Sequence, residues 1–330
     1  MINDKSFRFP IGKKGEFNFV LLFAIVAGTI ILLLAIYGAM KTGGTLTKQT
    51  EAELAKSLEI ITDPLQAGFA EIATSKIIFK KETRLTVSCD DFGGFGDNVV
   101  SLQTKSSMGE DWTADPFRYT INNKYLFSDT TSGKTFYVFS EKFATGFKVA
   151  DLLFITPRNF CFVLPPEDIE EEMAGIRAPN IGLRTNGNDT CKEDAETVCF
   201  NRGGCDITIT PRCNQEQCKS EYDFGVVTNA DGTQIPYSGG LMFGAIFTDK
   251  DSYECNVKRL LYRASRIADV FTQKIDFMAA RGCDSLMKPD LIAFTALLQN
   301  ATSANLEEIY YASLNLDKRR KLDGGCALEW

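Results

Sequence analysis

The chain of 330 residues contains no histidine. That absence removes the Ser–His–Asp and Cys–His mechanisms, histidine proton shuttles, and His-ligated zinc, haem and copper sites. Chemistry run by carboxylates, lysines, tyrosines or a Ser–Lys pair survives it. No cysteine precedes Cys89, the first of ten. No internal repeat or long low-complexity tract is visible. Basic residues are outnumbered, 36 to 43; without the first 16 residues the counts are 32 and 41, a net charge of −9. An acidic surface does not attract a phosphate backbone, so nucleic acid is excluded as a partner.

One feature is present in abundance. Phe19 to Met40 is an uncharged, mostly apolar run, FVLLFAIVAGTIILLLAIYGAM. At about 1.5 Å per residue it reaches about 33 Å, enough for a bilayer core of about 30 Å. A cleaved secretory signal would have a shorter apolar core and an A-x-A-like end, which YGAMKTGG lacks, so retention is expected. Lys5, Arg8, Lys13 and Lys14 precede the run, against Asp4 and Glu16. Positive flanks stay cytoplasmic, which places the N-terminus inside and the rest outside the cell membrane. The expected organisation is a cytoplasmic tail over 1–16, a transmembrane helix over 17–40, a helical stalk over 41–75, an α+β domain over 76–250 and a helical part over 251–330.

The step Lys13-Lys14-Gly15 directly before the apolar run resembles the class III signal of type IV prepilin-like proteins of archaea and bacteria. The resemblance covers residues 13–40 only. It implies cleavage between Gly15 and Glu16 and packing of the exposed helix into a filament, or anchoring by it. Val20 stands where many pilins carry glutamate. Small-residue pairs, Ala24 with Gly28 and Ala35 with Ala39, would let two such helices approach closely.

The cysteines Cys89, Cys161, Cys191, Cys199, Cys205, Cys213, Cys218, Cys255, Cys283 and Cys326 suit disulfides in an oxidising compartment. Five lie between Cys191 and Cys218, inside a segment over 185–219 rich in Asn, Gly, Asp and Thr. Five is odd, so if all ten pair, that segment must be tied at least once to a cysteine outside it. Cys255 and Cys283 fall on one expected helix, about 42 Å apart, and cannot bond each other. Asn188 and Asn300 begin glycosylation-type triplets on the same side.

The pattern along the chain is α+β with a mixed or antiparallel sheet. Leu54, Leu58, Ile61, Leu65, Phe69 and Ile72 read as a stalk helix, interrupted at Asp63-Pro64. Lys76–Phe79, Arg84–Cys89, Val99–Gln103, Asp151–Thr156 and Phe160–Leu164 read as strands. Tyr125–Phe127 and Thr135–Phe139 read as one hairpin, and Tyr222–Val227 with Leu241–Phe247 as another around the turn Asn229–Gly232. Pro165-Pro166 before EDIEEEMAGIR marks a short helix, and with the strand at Asn180–Leu183 it suggests one βαβ crossover. From Ser252 the period becomes helical, with a stripe including Leu260, Phe271 and Ile275, followed by helices from Pro289 and over Leu306–Leu316.

Candidate chemistry is thin. Ser132-Gly-Lys-Thr135 imitates a P-loop tail but lacks the first glycine, and a strand follows where a helix N-terminus is needed. Ser285-Leu-Met-Lys288 has the Ser–Lys spacing without its companion motifs. Glu167, Asp168 and Glu170–Glu172 suit the dipole of a helix start as a solvated face, or half of a glycosidase pair. Asn229–Asp231 and Asp249–Asp251 carry calcium-type oxygens without the calcium loop pattern. No catalytic residue, cofactor or metal site is therefore assigned. Three functions fit: a structural or interaction protein of the cell surface that binds another protein, a glycan or itself; a pilin-like subunit; and a surface hydrolase using paired carboxylates.

Overall fold

The computed structural model describes residue 27 and residues 29–34, 75–105, 111–186, 189–213 and 218–323. Gly15, Glu16, most of the apolar run, the expected stalk up to residue 74, Asn188 and Cys326 lie outside these. The chain divides into two units, Met1–Thr50 and Glu51–Trp330. In the first, the described residues are helical and expose Ile30, Ile31, Leu32, Leu33 and Leu34. Among the described residues no helix is long and apolar enough to cross a membrane.

The second unit is α+β, with two six-stranded sheets. Sheet one takes its strands from β1 (Ser75–Asp90), β2 (Asp97–Thr104), β3 (Phe117–Asn122), β4 (Tyr125–Phe127), β5 (Thr131–Ala144) and β6 (Lys148–Thr156), in the order β3-β2-β1-β5-β6-β4. It is antiparallel except for β4, which joins β6 in parallel. Sheet two holds β7 (Phe160–Val163), β8 (Ile181–Arg184), β9 (Glu196–Phe200), β10 (Ile207–Pro211), β11 (Phe224–Thr228) and β12 (Gln234–Ser238), in the order β12-β11-β10-β9-β7-β8. Helices follow: α1 (Glu167–Ile176) between β7 and β8, then α2 (Leu241–Phe247), α3 (Lys250–Ala279), α4 (Lys288–Gln299) and α5 (Leu306–Leu322). The expected βαβ crossover is β7–α1–β8, with Phe160 opposite Ile181.

Alternation along β5 and β6 explains how sheet one is buried on both faces. Phe139, Leu152 and Phe154 point into the main core shared with sheet two and the helices. Phe136, Val138, Leu153 and Ile155 point the other way, into a second cluster with Leu85, Val87 and Val100. A strand covered on both faces reads as an unbroken apolar run, which β6 does.

Several local expectations are corrected. The strands at 76–79 and 84–89 are one strand, β1, with a register shift against β5 between Ile78 and Thr83. Tyr125–Phe127 does not form a hairpin with Thr135–Phe139. From Thr131 the polar segment between them already belongs to β5, where Thr131 pairs with Leu85 and Ser132 with Arg84. The P-loop-like Ser132–Thr135 is therefore strand and not a turn. The hairpin around Asn229–Gly232 is β11–β12, with Phe224 opposite Ser238. Leu241–Phe247 is the helix α2, and all seven of its residues are buried. A short apolar run lacks the periodicity that would tell helix from strand.

In α3, Leu260 and Ile275 are buried, as the stripe predicts, while Phe271 is half-buried, its ring centroid 5.3 Å from that of Phe147. Phe271→Ala should cost about 2–3 kcal/mol, below the ~3–5 of a fully enclosed phenylalanine. Exposed Lys274→Ala should change stability by under about 0.5 kcal/mol. Urea titrations of the two variants compare them; equal midpoints would mean that this helical face packs against nothing.

One residue of α3 breaks the apolar stripe. Arg259 is fully buried. Its Nε donates to Phe95 O at 2.7 Å, and its two terminal nitrogens donate to Asn98 Oδ1 (2.7 Å), Asn256 Oδ1 (2.9 Å), Lys124 O (3.0 Å) and Gly96 O (3.1 Å). The guanidinium also lies 4.9 Å from the Tyr125 ring centre. Four of these acceptors belong to the β1–β2 turn, the start of β2 or the approach to β4, so one side chain of α3 fixes the loops at one end of sheet one. Gly94 in that turn has φ +82°, and a Cβ there would come within 2.7 Å of the Tyr262 ring.

Among the described residues four disulfides join pairs of cysteines: Cys89–Cys255, Cys161–Cys191, Cys199–Cys205 and Cys213–Cys218. Cys283, beyond the end of α3, is also disulfide-bonded. The five-cysteine segment is tied to the core by Cys161 of β7, as its odd count requires, and Cys255 does not pair with Cys283.

Candidate functional site

The cleft with the most unusual chemistry lies where the two sheets and two helices meet. It encloses about 480 Å³. Glu141 and Lys142 come from the end of β5, and Asp168 and Glu172 from α1. Lys219 to Asp223 come from the loop before β11, Ser238 to Gly240 from the β12–α2 link, and Tyr310 and Asp317 from α5.

The sequence builds this cleft by simple means. Asp168 and Glu172 are four residues apart on α1, so they share one face of the helix. Gly240 leaves room for Glu141: a Cβ there would stand 2.8 Å from Glu141 Cγ and 2.7 Å from Lys142 O. Asp223 Oδ2 organises the opposite wall. It accepts from the backbone N–H of Lys219 (2.9 Å) and Ser220 (3.1 Å) and from the Tyr310 hydroxyl (2.6 Å). Asp317 is neutralised by Arg320 and Lys321, each at 2.8 Å, which hold its carboxyl below the usual range.

Glu172 differs from the solvated acidic face expected of this helix. It is half-buried, and burial pushes its carboxyl up to about 8. The neighbouring Glu141 adds to the rise through its charge and a hydrogen bond, Asp168 adds a little more, and Lys142 opposes it. One proton is therefore held by the Glu141–Glu172 pair at neutral pH. Burial and the adjoining acids raise the Tyr222 hydroxyl to about 12, so it stays a neutral donor.

The folded state thus binds a proton that the unfolded chain, with an ordinary glutamate near 4.5, has released. Stability should fall as pH rises from about 4.5 through about 8. Glu172→Gln should flatten that decline and raise the melting temperature above about pH 8. Some slope should persist from Asp129, which burial also raises. Melting curves between about pH 5 and 9 test this, and an unchanged slope in the variant would mean that Glu172 ionises normally.

A second, more open cleft of about 760 Å³ is lined by Asp129, Arg158, Glu196, Asp206, Asn229, Asp231, Thr248 and Asp249, among others. It brings together Asn229, Asp231 and Asp249 from the two segments with calcium-type oxygens. Among the described residues, however, no group of three or more Asp, Glu, Cys or His is placed to hold a metal ion.

The other sequence candidates separate. Ser285 Oγ donates to Asp323 Oδ2, while Lys288 Nζ pairs with Asp276 at 2.5 Å, so the Ser–Lys spacing brings no lysine to the serine. Cys213 and Cys218, separated by four residues, form a disulfide. Asn300 is exposed at the end of α4. Sequence reasoning missed Glu141, Asp223 and the burial of Glu172. The signals were the i,i+4 spacing of Asp168 and Glu172 and the glycine pair Gly239-Gly240.

No protein-family model, curated protein or solved structure matches the chain.

Proposed function

We propose that this is a single-pass membrane-anchored protein of the cell surface, whose disulfide-stabilised α+β part lies outside the cytoplasm and binds a protein or glycan partner in the Glu141–Glu172 cleft. The disulfide set carries the reading. Cys89–Cys255, Cys161–Cys191, Cys199–Cys205 and Cys213–Cys218 all follow the apolar run, and such bonds persist in oxidising compartments. The exposed Ile30–Leu34 side chains suit a lipid environment, and Lys13 and Lys14 favour an inside N-terminus. Residues 17–40 then form the anchor and 41–75 the stalk, with the Ala24/Gly28 and Ala35/Ala39 pairs available for self-association.

The cleft suits binding better than glycoside hydrolysis. Retaining glycosidases hold their two carboxyl groups about 5 Å apart, and inverting ones farther. Glu141 and Glu172 share a hydrogen bond and stand too close for a sugar to react between them. A protonated carboxyl beside ionised ones, with Tyr222 and Tyr310 nearby, offers both donors and acceptors to sugar hydroxyls or to a peptide backbone.

Protease added to intact cells should remove the mass beyond about residue 45 and spare the tail. Membrane-impermeant thiol reagents should label few or no cysteines without reductant. Protection of the folded part would overturn the orientation, and ready labelling would overturn the disulfide-bonded state. Processing after Gly15, the pilin-like alternative, would give a mature chain beginning at Glu16, read by N-terminal sequencing of the membrane-extracted protein.

A further inference from the structure

The second cleft is separate from the one just assigned and carries its own argument. Its charges are unbalanced in a specific way. Arg158 bridges Asp129 at 2.5 Å and Glu196 at 2.6 Å, one guanidinium for two carboxylates. Among the described residues, the remaining acids have no ion-pair partner. Asp206 Oδ2 accepts from Thr197 N (2.8 Å) and Thr197 Oγ1 (2.7 Å). Asp231 accepts from Thr233 N (2.8 Å) and Thr233 Oγ1 (2.9 Å). Asp249 Oδ1 caps α3 through Ser252 N at 2.9 Å. These bonds hold the Asp206 and Asp231 carboxyls below their usual range, so both stay ionised. The caps and turns use up neutral donors and leave the negative charge uncompensated.

Two buried oxygens among the lining residues have no partner. Thr248 is 3% exposed and its Oγ1 makes no hydrogen bond. Asp129 Oδ1, the oxygen turned away from the Arg158 pair, is likewise unpaired. An unsatisfied buried oxygen costs about 1–3 kcal/mol. Acceptors without donors, beside ionised carboxylates, call for a ligand that brings N–H groups and positive charge. The guanidinium of Arg158 already shows the chemistry that fits here. A dehydrated metal ion fits less well, because no three acidic side chains converge and Arg158 would repel it.

We propose that this cleft receives a basic segment of a partner polypeptide, with a lysine ammonium or arginine guanidinium donating to Thr248 Oγ1 and Asp129 Oδ1 while Asp206, Asp231 and Asp249 supply the field. An opening of about 760 Å³ admits a side chain and its flanking backbone.

The test uses the full-length protein in lipid nanodiscs and fluorescein-labelled deca-lysine, with a Gly-Ser peptide of equal length as control. Deca-lysine should bind, the control should not, and binding should weaken as salt rises. Thr248→Val should weaken it about tenfold, the worth of one hydrogen bond to a charged group. Its melting temperature should stay the same or rise, because an orphaned hydroxyl is removed. Asp249→Asn, which keeps a competent helix cap, should weaken binding and flatten its salt dependence. Glu172→Gln in the other cleft should leave it within about twofold.

Wild-type affinity in both Thr248→Val and Asp249→Asn would overturn the proposal, as would an equal loss in Glu172→Gln. Displacement of deca-lysine by millimolar calcium, but not by sodium at equal ionic strength, would reassign the cleft to a divalent cation and overturn it too.

Discussion

Arg259→Met should destabilise the protein by about 3–5 kcal/mol, the scale of breaking a buried charged network by removing one partner. Methionine fills much the same volume, so little of the loss comes from a cavity. The loss comes from five acceptors, Phe95 O, Gly96 O, Lys124 O, Asn98 Oδ1 and Asn256 Oδ1, deprived of their donors in a buried site. Asn98 Oδ1 keeps a bond from Leu126 N at 3.1 Å, which spares part of the cost. Arg259→Lys should fall between wild type and methionine, because an ammonium has three donors on a flexible stem where the guanidinium offers five in a fixed plane. Urea unfolding followed by circular dichroism measures both. A loss under about 1 kcal/mol in the methionine variant would mean that these carbonyls find water when the arginine is gone.

Of the four disulfides with both cysteines described, Cys89–Cys255 should contribute the most. It closes a loop of 166 residues, against 30 for Cys161–Cys191 and 6 and 5 for the two small loops. The chain-entropy relation gives about 5 kcal/mol for the first and about 3.6 for the second. Cys89→Ser with Cys255→Ser should therefore lower stability by up to about 5 kcal/mol, and Cys161→Ser with Cys191→Ser by less. Thermal unfolding of the two double variants gives the ranking, and a reversed order would show that the unfolded chain is already held together near residues 89 and 255. The Arg259 and Cys89–Cys255 effects should not add, because Arg259 stands 3.9 Å from Cys89 Sγ and both tie α3 to the same end of sheet one.

Much of this fold was legible where pattern and length agreed. α3, α4 and α5 followed from helical period, and α1 from Pro165-Pro166 and the acids after it. The β7–α1–β8 crossover followed from element order. What failed were pairings and short apolar runs. Tyr125–Phe127 is too short to announce a partner, and its parallel place beside β6 depends on β5 lying on the other side of that strand. Leu241–Phe247 is apolar at every position, so no period exists to read. Of the cleft, the acids of α1 were legible as a group, yet Glu172 could not be singled out. Its proton is set by Glu141, 31 positions earlier in the chain, and by the packing around both. Arg259 was likewise invisible: an arginine within a helical stripe reads as surface until its five acceptors are in place.

The disulfide connectivity also bears on how the protein is made. If the part of the chain after the apolar run is threaded into an oxidising compartment in sequence order, Cys89 and then Cys161 arrive long before Cys255. Pairing in order of arrival would join Cys89 to Cys161, yet Cys161 belongs with Cys191 and Cys89 must wait through six further cysteines for its partner. Biogenesis therefore depends on thiol exchange that undoes early mispairing, or on an agent that shields Cys89 until α3 arrives. A host without disulfide isomerase activity should accumulate the protein in scrambled form, with sheet two and its short loops correctly closed and the first strand of sheet one tied to the wrong place.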